Sequence, residues 1–204
     1  MLDLCTDFLG PFHPQTLAAT KSLGIAFWCA GYTDQAVELL DQALDRLTST
    51  PEEKHPERVE LLCVLGEILL EQQCVKQASV IYREAVACCV RIRGLIHPSS
   101  VAAKGDLATV LFELGEEKEA IGLEKEALET ALTHLGKTHP VTSVIAWNQA
   151  LRYQRAGDSD SARKTLLDQL VWLLAEEPSS LDADQHSIRT MLAAQLNWDS
   201  PVVC

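Results

Sequence analysis

The sequence predicts an all-α fold: a solenoid of stacked helix–turn–helix units. Three observations predict it. The dipeptide His-Pro recurs at His13-Pro14, His55-Pro56, His97-Pro98 and His139-Pro140, each step being 42 residues. Small residues keep the same register, with Ala36, Ala78, Ala120 and Ala162 in one column and Gly24, Gly66, Ala108 and Ala150 in another. Between the columns apolar residues recur at helical spacing, as in Ala36, Leu39, Leu40 and Ala43. A fixed period with two helical stretches marks an array in which each unit buries its apolar face against the next.

The elements follow in chain order. Residues 1–13 read as the end of a preceding second helix and its loop, and Leu2, Leu4, Cys5 and Leu9 there ask for an apolar neighbour. Four units occupy 14–55, 56–97, 98–139 and 140–181. In each, Pro directly after His suits the first helical turn, where the missing N–H is no loss and φ is preset. Gly31, Gly115 and Gly157 fall between first and second helix, where a left-handed residue ends the first; Gln73 holds that place in the second unit. Gly10, Gly94 and Gly136 end the second helices, with Glu52 as the exception. The two small-residue columns let paired helices approach closely. Residues 182–204 read as a terminal capping helix and tail: Ser187, Ile188, Met191, Leu192 and Leu196 repeat the spacing of a first helix, and Asp182 and Asp184 suit its start.

The segment Ala30-Gly31-Tyr32 through Asp34-Gln35-Ala36-Val37-Glu38-Leu39-Leu40, ending at Ala43-Leu44, resembles a tetratricopeptide repeat (TPR). That repeat usually has about 34 residues. A longer unit joined by Leu-Gly-x-x-His-Pro resembles the kinesin light chain subclass, as in Leu135-Gly136-Lys137-Thr138-His139-Pro140 and Leu9-Gly10-Pro11-Phe12-His13-Pro14. The resemblance implies a right-handed α–α superhelix whose first helices line a concave face that takes extended peptides. It also implies an Asn pair before the Leu of each first helix. The matching positions here are Lys21-Ser22, Cys63-Val64, Gly105-Asp106 and Trp147-Asn148, so only Asn148 keeps it.

Composition bounds the function. Seventeen basic residues against 29 acidic ones leave a net charge of −12, which argues against nucleic acid or anionic membrane as the partner. No apolar run approaches the ~18 residues of a membrane span, so direct membrane insertion is not expected. The N-terminus has no Lys or Arg before Lys21, which predicts no secretory signal and a cytoplasmic location. Cys29, Cys63, Cys74, Cys88 and Cys89 fall in apolar helical patterns and read as reduced core thiols. No Cys or His pairs carry metal-site spacing, and the His-Pro histidines stand about one repeat apart. Carboxylate pairs at Glu52-Glu53, Glu116-Glu117 and Glu176-Glu177 read as solvated residues of loops or helix starts. Motifs for a serine nucleophile, a P-loop, a zinc protease or a dinucleotide site are absent. The expectation is no catalytic residue, no metal, no cofactor and no enzymatic activity.

The partner expected instead is a protein or peptide, bound on the inward positions of the first helices. Counted from the Leu-Gly column, these include Lys21, Ile25 and Trp28 in the first unit and Glu60, Glu67 and Glu71 in the second. Asp106, Thr109, Phe112 and Glu113 follow in the third, then Trp147, Asn148, Leu151 and Arg155 in the fourth. Five carboxylates against two cations make this face acidic, with apolar or aromatic spots at Trp28, Phe112 and Trp147. It therefore suits a segment in which Lys or Arg flanks apolar anchors. The kinesin light chain resemblance implies the opposite polarity, a basic groove for tryptophan-acidic peptides. The alternative is a regulatory or oligomerisation segment of a larger multidomain protein, packing against its other domains or self-associating through exposed repeat ends.

Overall fold

The computed structural model describes residues 2–48 and 55–196; Glu52-Glu53 and the tail beyond Leu196 lie outside them. Every regular element among the described residues is helical, and the chain divides into two compact units, Met1–Ala120 and Ile121–Cys204.

The first unit holds α1 (Leu2–Leu9), α2 (Pro14–Cys29), α3 (Thr33–Thr48), α4 (Pro56–Glu71), α5 (Val75–Arg93) and α6 (Pro98–Glu113). It closes in the first turn of α7 (Glu117–Thr130). Helices pack in sequence, α2 on α3, α3 on α4, α4 on α5 and α5 on α6, as in a stack of hairpins. On α1, Leu4, Phe8 and Leu9 are exposed.

The His-Pro column has a specific mechanical role. Pro takes the first helical position of α2, α4 and α6, and of α8 in the second unit, and the preceding His is the extended N-cap residue. Nδ1 of His13, His97 and His139 accepts the N–H two residues on, from Gln15, Ser99 and Val141, at 3.2 Å each. The imidazole thus does the work usually given to Ser or Asp at a helix start, where orphan N–H groups need an acceptor. His55 holds the same place without that bond, and its Nδ1 lies 3.9 Å from a Glu57 carboxylate oxygen.

The turns within units are left-handed as expected. Gly31, Gly115 and Gly157 have φ of 83°, 79° and 77°, and Gln73 adopts 61° in the same place. The backbone closes identically around both residue types: Gly31 and Tyr32 donate to Trp28 and Phe27 carbonyls, and Gln73 and Cys74 to those of Leu70 and Leu69. Close approach of α4 and α5 is set at Gly66, where an added Cβ would stand 2.7 Å from Tyr82 Cε2. Ala36, Ala78 and Ala120 are fully buried, as the small-residue columns require.

The second unit holds the rest of α7, which ends in a π-helical turn at Ala131–Leu135, then α8 (Pro140–Arg155) and α9 (Ser159–Thr165). The second helix of this last repeat is not uniform. After α9 the backbone loosens into a π-helical turn at Leu166–Leu170 and tightens to a 3₁₀ segment at Val171–Leu174. Gln169 replaces the column's alanine, and its carbonyl accepts from the Trp172 indole at 2.9 Å. The terminal helix, α10 (Ala183–Gln195), packs on α8 and on Val171–Leu174. Asp182 and Gln185 form a reciprocal capping box, and buried Gln185 also donates to the Thr138 carbonyl at 2.9 Å and to Ser143 Oγ at 3.3 Å. Ile188 and Leu192 are buried, but Met191 is exposed, contrary to its place in the expected apolar face.

Two further sequence expectations change. Cys29 is exposed and Cys74 is the N-cap residue of α5, so neither is a core thiol; Cys88 and Cys89 are. A charged residue also enters the core. Glu124, 5% exposed, accepts from Arg152 Nε at 3.0 Å and Gln149 Nε2 at 3.3 Å, with a further Arg152 Nη2 contact. It stands 42 residues after Tyr82 and 42 before Leu166, in the column that Leu40 begins.

Candidate peptide-binding face

The first helices of the first unit, α2, α4 and α6, carry ten of the expected positions. The register that places Lys21, Ile25 and Trp28 on one stripe of α2 is the i, i+4, i+7 spacing, and Glu60, Glu67 and Glu71 share a stripe of α4 at i, i+7, i+11. Two contacts join the stripes. Lys21 forms an ion pair with Glu60, and the Trp28 indole N–H donates to Glu71 at 2.7 Å. Glu71 ends α4, where the helix dipole disfavours a carboxylate, so the indole donor offsets part of that penalty. Ile25 is half-buried between them.

A second cluster lies between α4 and α6. Burial first, and then the charge of Glu67, pushes the Asp106 carboxyl up to about 7. Burial, then Asp106, pushes the Cys63 thiol up to about 12, which makes it an inert neutral thiol. Burial likewise raises the Tyr82 phenol, with Asp106 and Glu67 adding to it. Asp106 on α6 thus stands within electrostatic reach of Glu67 and Cys63 on α4 and of Tyr82 on α5. Further along α6, Thr109 Oγ1 donates to its own helix at the Gly105 carbonyl (3.1 Å), Phe112 is half-buried and Glu113 is exposed.

The remaining positions belong to α8 in the second unit. Trp147 is 5% exposed and packs in the core, Asn148 and Leu151 are half-buried and Arg155 is exposed. The structure thus brings together Lys21 with Glu60, Trp28 with Glu71, and Glu67 with Asp106. Tyr82 was missed by the sequence reading because it lies on a second helix; its signal is an aromatic residue opposite Gly66 in a column otherwise held by Leu40, Glu124 and Leu166. Among the described residues no three His, Cys, Asp or Glu converge as metal ligands, and no helix is long and apolar enough to cross a membrane.

Comparisons with known proteins agree on the fold. A tetratricopeptide repeat family model matches residues 101–141. The Aedes aegypti clustered mitochondria protein homolog is 25% identical over 136 residues, which are 67% of this chain and 9% of that protein. This chain thus spans a small fraction of the length of that relative. The Rattus norvegicus tetratricopeptide repeat protein 19, mitochondrial, is 33% identical over 85 residues, 42% of this chain and 22% of that protein. Among solved structures, the nearly identical TPR-like repeats assigned to a kinesin light chain of Podosopora anserina superpose with a TM-score of 0.68 at 22% identity, covering 91% of this chain and 90% of that one. BtubC (BKLC) from P. vanneervenii gives a TM-score of 0.75 at 16% identity, covering 98% and 87%.

Proposed function

We propose that this chain, an array of tetratricopeptide repeats of the kinesin light chain-like kind, is a non-enzymatic scaffold that binds a peptide or helix of a partner protein on the faces of its first helices. The observation that supports this most is the charge arrangement on α4 and α6. Glu67 and Glu71 stand on successive turns of α4 and Asp106 on α6, and Lys21 pairs with Glu60. A partner segment of Lys or Arg with apolar anchors complements that face. Trp28, half-buried, adds an aromatic surface beside it. A cytosolic setting belongs to the same proposal, and cell fractionation tests it.

The test is charge reversal, Glu67→Lys with Glu71→Lys, followed by quantitative binding of captured partners at low and high salt. Loss of binding together with a flatter salt dependence supports the scaffold reading. Unchanged affinity and unchanged salt dependence overturn it. Glu67→Lys alone is the companion variant, since Glu71 also holds Trp28.

A second reading rests on α1, where Leu4, Phe8 and Leu9 present exposed apolar side chains. In that reading the array is a regulatory or oligomerisation segment that packs through its end. Sizing by light scattering separates the two: concentration-dependent association lost in Phe8→Glu favours the end-packing reading, and a monomer at all concentrations favours the scaffold alone.

A further inference from the structure

Between α1, α2 and α3 lies a cavity of about 320 Å³. A space of that size takes one small guest. Leu17 and Ala43 are buried in its wall, and Asp7, Thr16, Thr20 and Gln42 supply polar groups. Three of the four keep bonding capacity to spare. The Thr16 hydroxyl oxygen is buried without a hydrogen-bond partner. The Gln42 amide nitrogen donates to Glu38 at 3.1 Å, and its carbonyl oxygen remains an acceptor. Asp7 makes no ion pair among the described residues. Thr20 alone spends its hydroxyl locally, on the Thr16 carbonyl at 2.9 Å.

The 42-residue register says what the matching positions hold in the next repeats. Thr16 corresponds to Arg58, and Gln42 to Glu84. Those two residues form an ion pair in the second repeat, and the Arg58 side chain is only 11% exposed. Thr20 corresponds to Lys104 of the third repeat, which is 7% exposed. Each of the next two repeats thus buries one long basic side chain at a position where the first repeat has a threonine. Threonine is too short to fill that volume, and Gln42 replaces the counter-ion that Glu84 supplies.

We propose that the cavity between α1, α2 and α3 seats an arginine side chain of a partner protein. Its aliphatic stem lies against Leu17, Leu39 and Ala43, and its guanidinium meets the Asp7 carboxylate and the Gln42 carbonyl oxygen. Acceptors that stand apart suit a guanidinium, whose five N–H donors spread around a plane. Arg46 also lines the cavity, and its charge weakens the seat without closing it. The seat stands apart from the acidic stripe of α4. It takes from the scaffold reading only that a partner exists, so failure of the charge reversal at Glu67 and Glu71 leaves it standing.

The test titrates the ¹⁵N-labelled full chain with n-propylguanidinium chloride, with n-propylurea as the neutral isostere. The expected result is saturable shifts of amides around residues 6–7, 16–20 and 42–46 that n-propylurea does not reproduce. Asp7→Asn weakens the affinity by about threefold, the scale of an exposed ion pair, and Arg46→Gln strengthens it by a similar factor. Glu117→Gln leaves it unchanged. Thr16→Arg with Gln42→Glu places the second repeat's ion pair in the cavity, so it abolishes the shifts and raises the melting temperature. Shifts spread over the acidic surface, reproduced by n-propylurea or persisting in the folded double variant overturn the seat. A double variant that does not fold overturns the correspondence with Arg58, and the seat with it. n-Butylammonium chloride, the lysine counterpart, binds more weakly; equal binding overturns the choice of arginine.

Discussion

The Tyr82 ring packs against Gly66, so that a single added carbon at residue 66 would meet its Cε2 at 2.7 Å and its Cζ at 2.8 Å. Tyr82 is 3% exposed and has little room to retreat. Gly66→Ala is therefore expected to destabilise the first unit by about 1–3 kcal/mol, the range for an overpacked core. Tyr82→Leu, the residue found 42 positions earlier at Leu40, should recover part of the loss in the double variant. Urea unfolding of the two single variants and the double variant checks this through the coupling energy. Additive losses would contradict the contact.

Gln73 carries the strained turn of the second repeat, residues 56–97, with φ of 61° where the three other repeats use glycine. Gln73→Gly should stabilise the chain by about 1 kcal/mol, because a left-handed backbone costs a Cβ-bearing residue roughly that much. Gly115→Ala should lose a similar amount. Thermal unfolding of both variants tests the pair, and shifts of the same sign would refute the reading.

Glu124 is the buried partner of Arg152. Arg152→Ala leaves a desolvated carboxylate with only Gln149 and should cost about 3–5 kcal/mol. Glu124→Leu with Arg152→Met replaces the pair by apolar groups of similar size and should be close to neutral. Denaturant midpoints and slopes measured for the two variants decide the matter.

Asp106 makes stability fall with pH. Its folded value of about 7 lies above its ordinary 3.8, so the folded state binds the extra proton. The penalty is fully present above pH ~8, eases as pH falls through 7, and vanishes below about 4. Asp106→Asn should therefore stabilise the chain at pH ~8 by about 1–3 kcal/mol and have little effect near pH ~4. Unfolding free energies of parent and variant across that window provide the check, and a constant difference would sink the assignment.

The repeat was legible in the sequence because it rests on backbone needs that few residues meet. His-Pro starts, glycine turns and small-residue columns each answer a local geometric demand, and the helices begin at Pro14, Pro56, Pro98 and Pro140. Three kinds of feature were not legible. The histidine caps depend on which ring nitrogen faces an amide, which spacing alone does not reveal. The broken second helix at 166–174 arises where side chains such as Trp172 compete for backbone carbonyls. On the candidate face, the stripes on α2 and α4 follow from helical register, but the pairing of Lys21 with Glu60 and of Trp28 with Glu71 joins side chains 39 and 43 residues apart. Trp147 shows the converse: its register is that of the face, and its packing is that of the core.

The Glu124–Arg152 contact also bears on how such a chain can change its length. Both partners sit in the repeating register, but in adjacent 42-residue repeats, and no other repeat carries either residue at the matching position: Glu124 corresponds to Leu40, Tyr82 and Leu166, and Arg152 to Ala26, Ile68 and Val110. In-frame loss of residues 98–139 would preserve every helix boundary and the spacing of every cap. It would nevertheless set Arg152 against Tyr82 and bury a guanidinium with no carboxylate to meet it. Duplication of the same block would leave the inner copy of Glu124 facing Val110. One ionic contact in the core thus makes the order and number of these units heritable as a set, so that unequal recombination within this array yields a penalised chain rather than a longer or shorter working one.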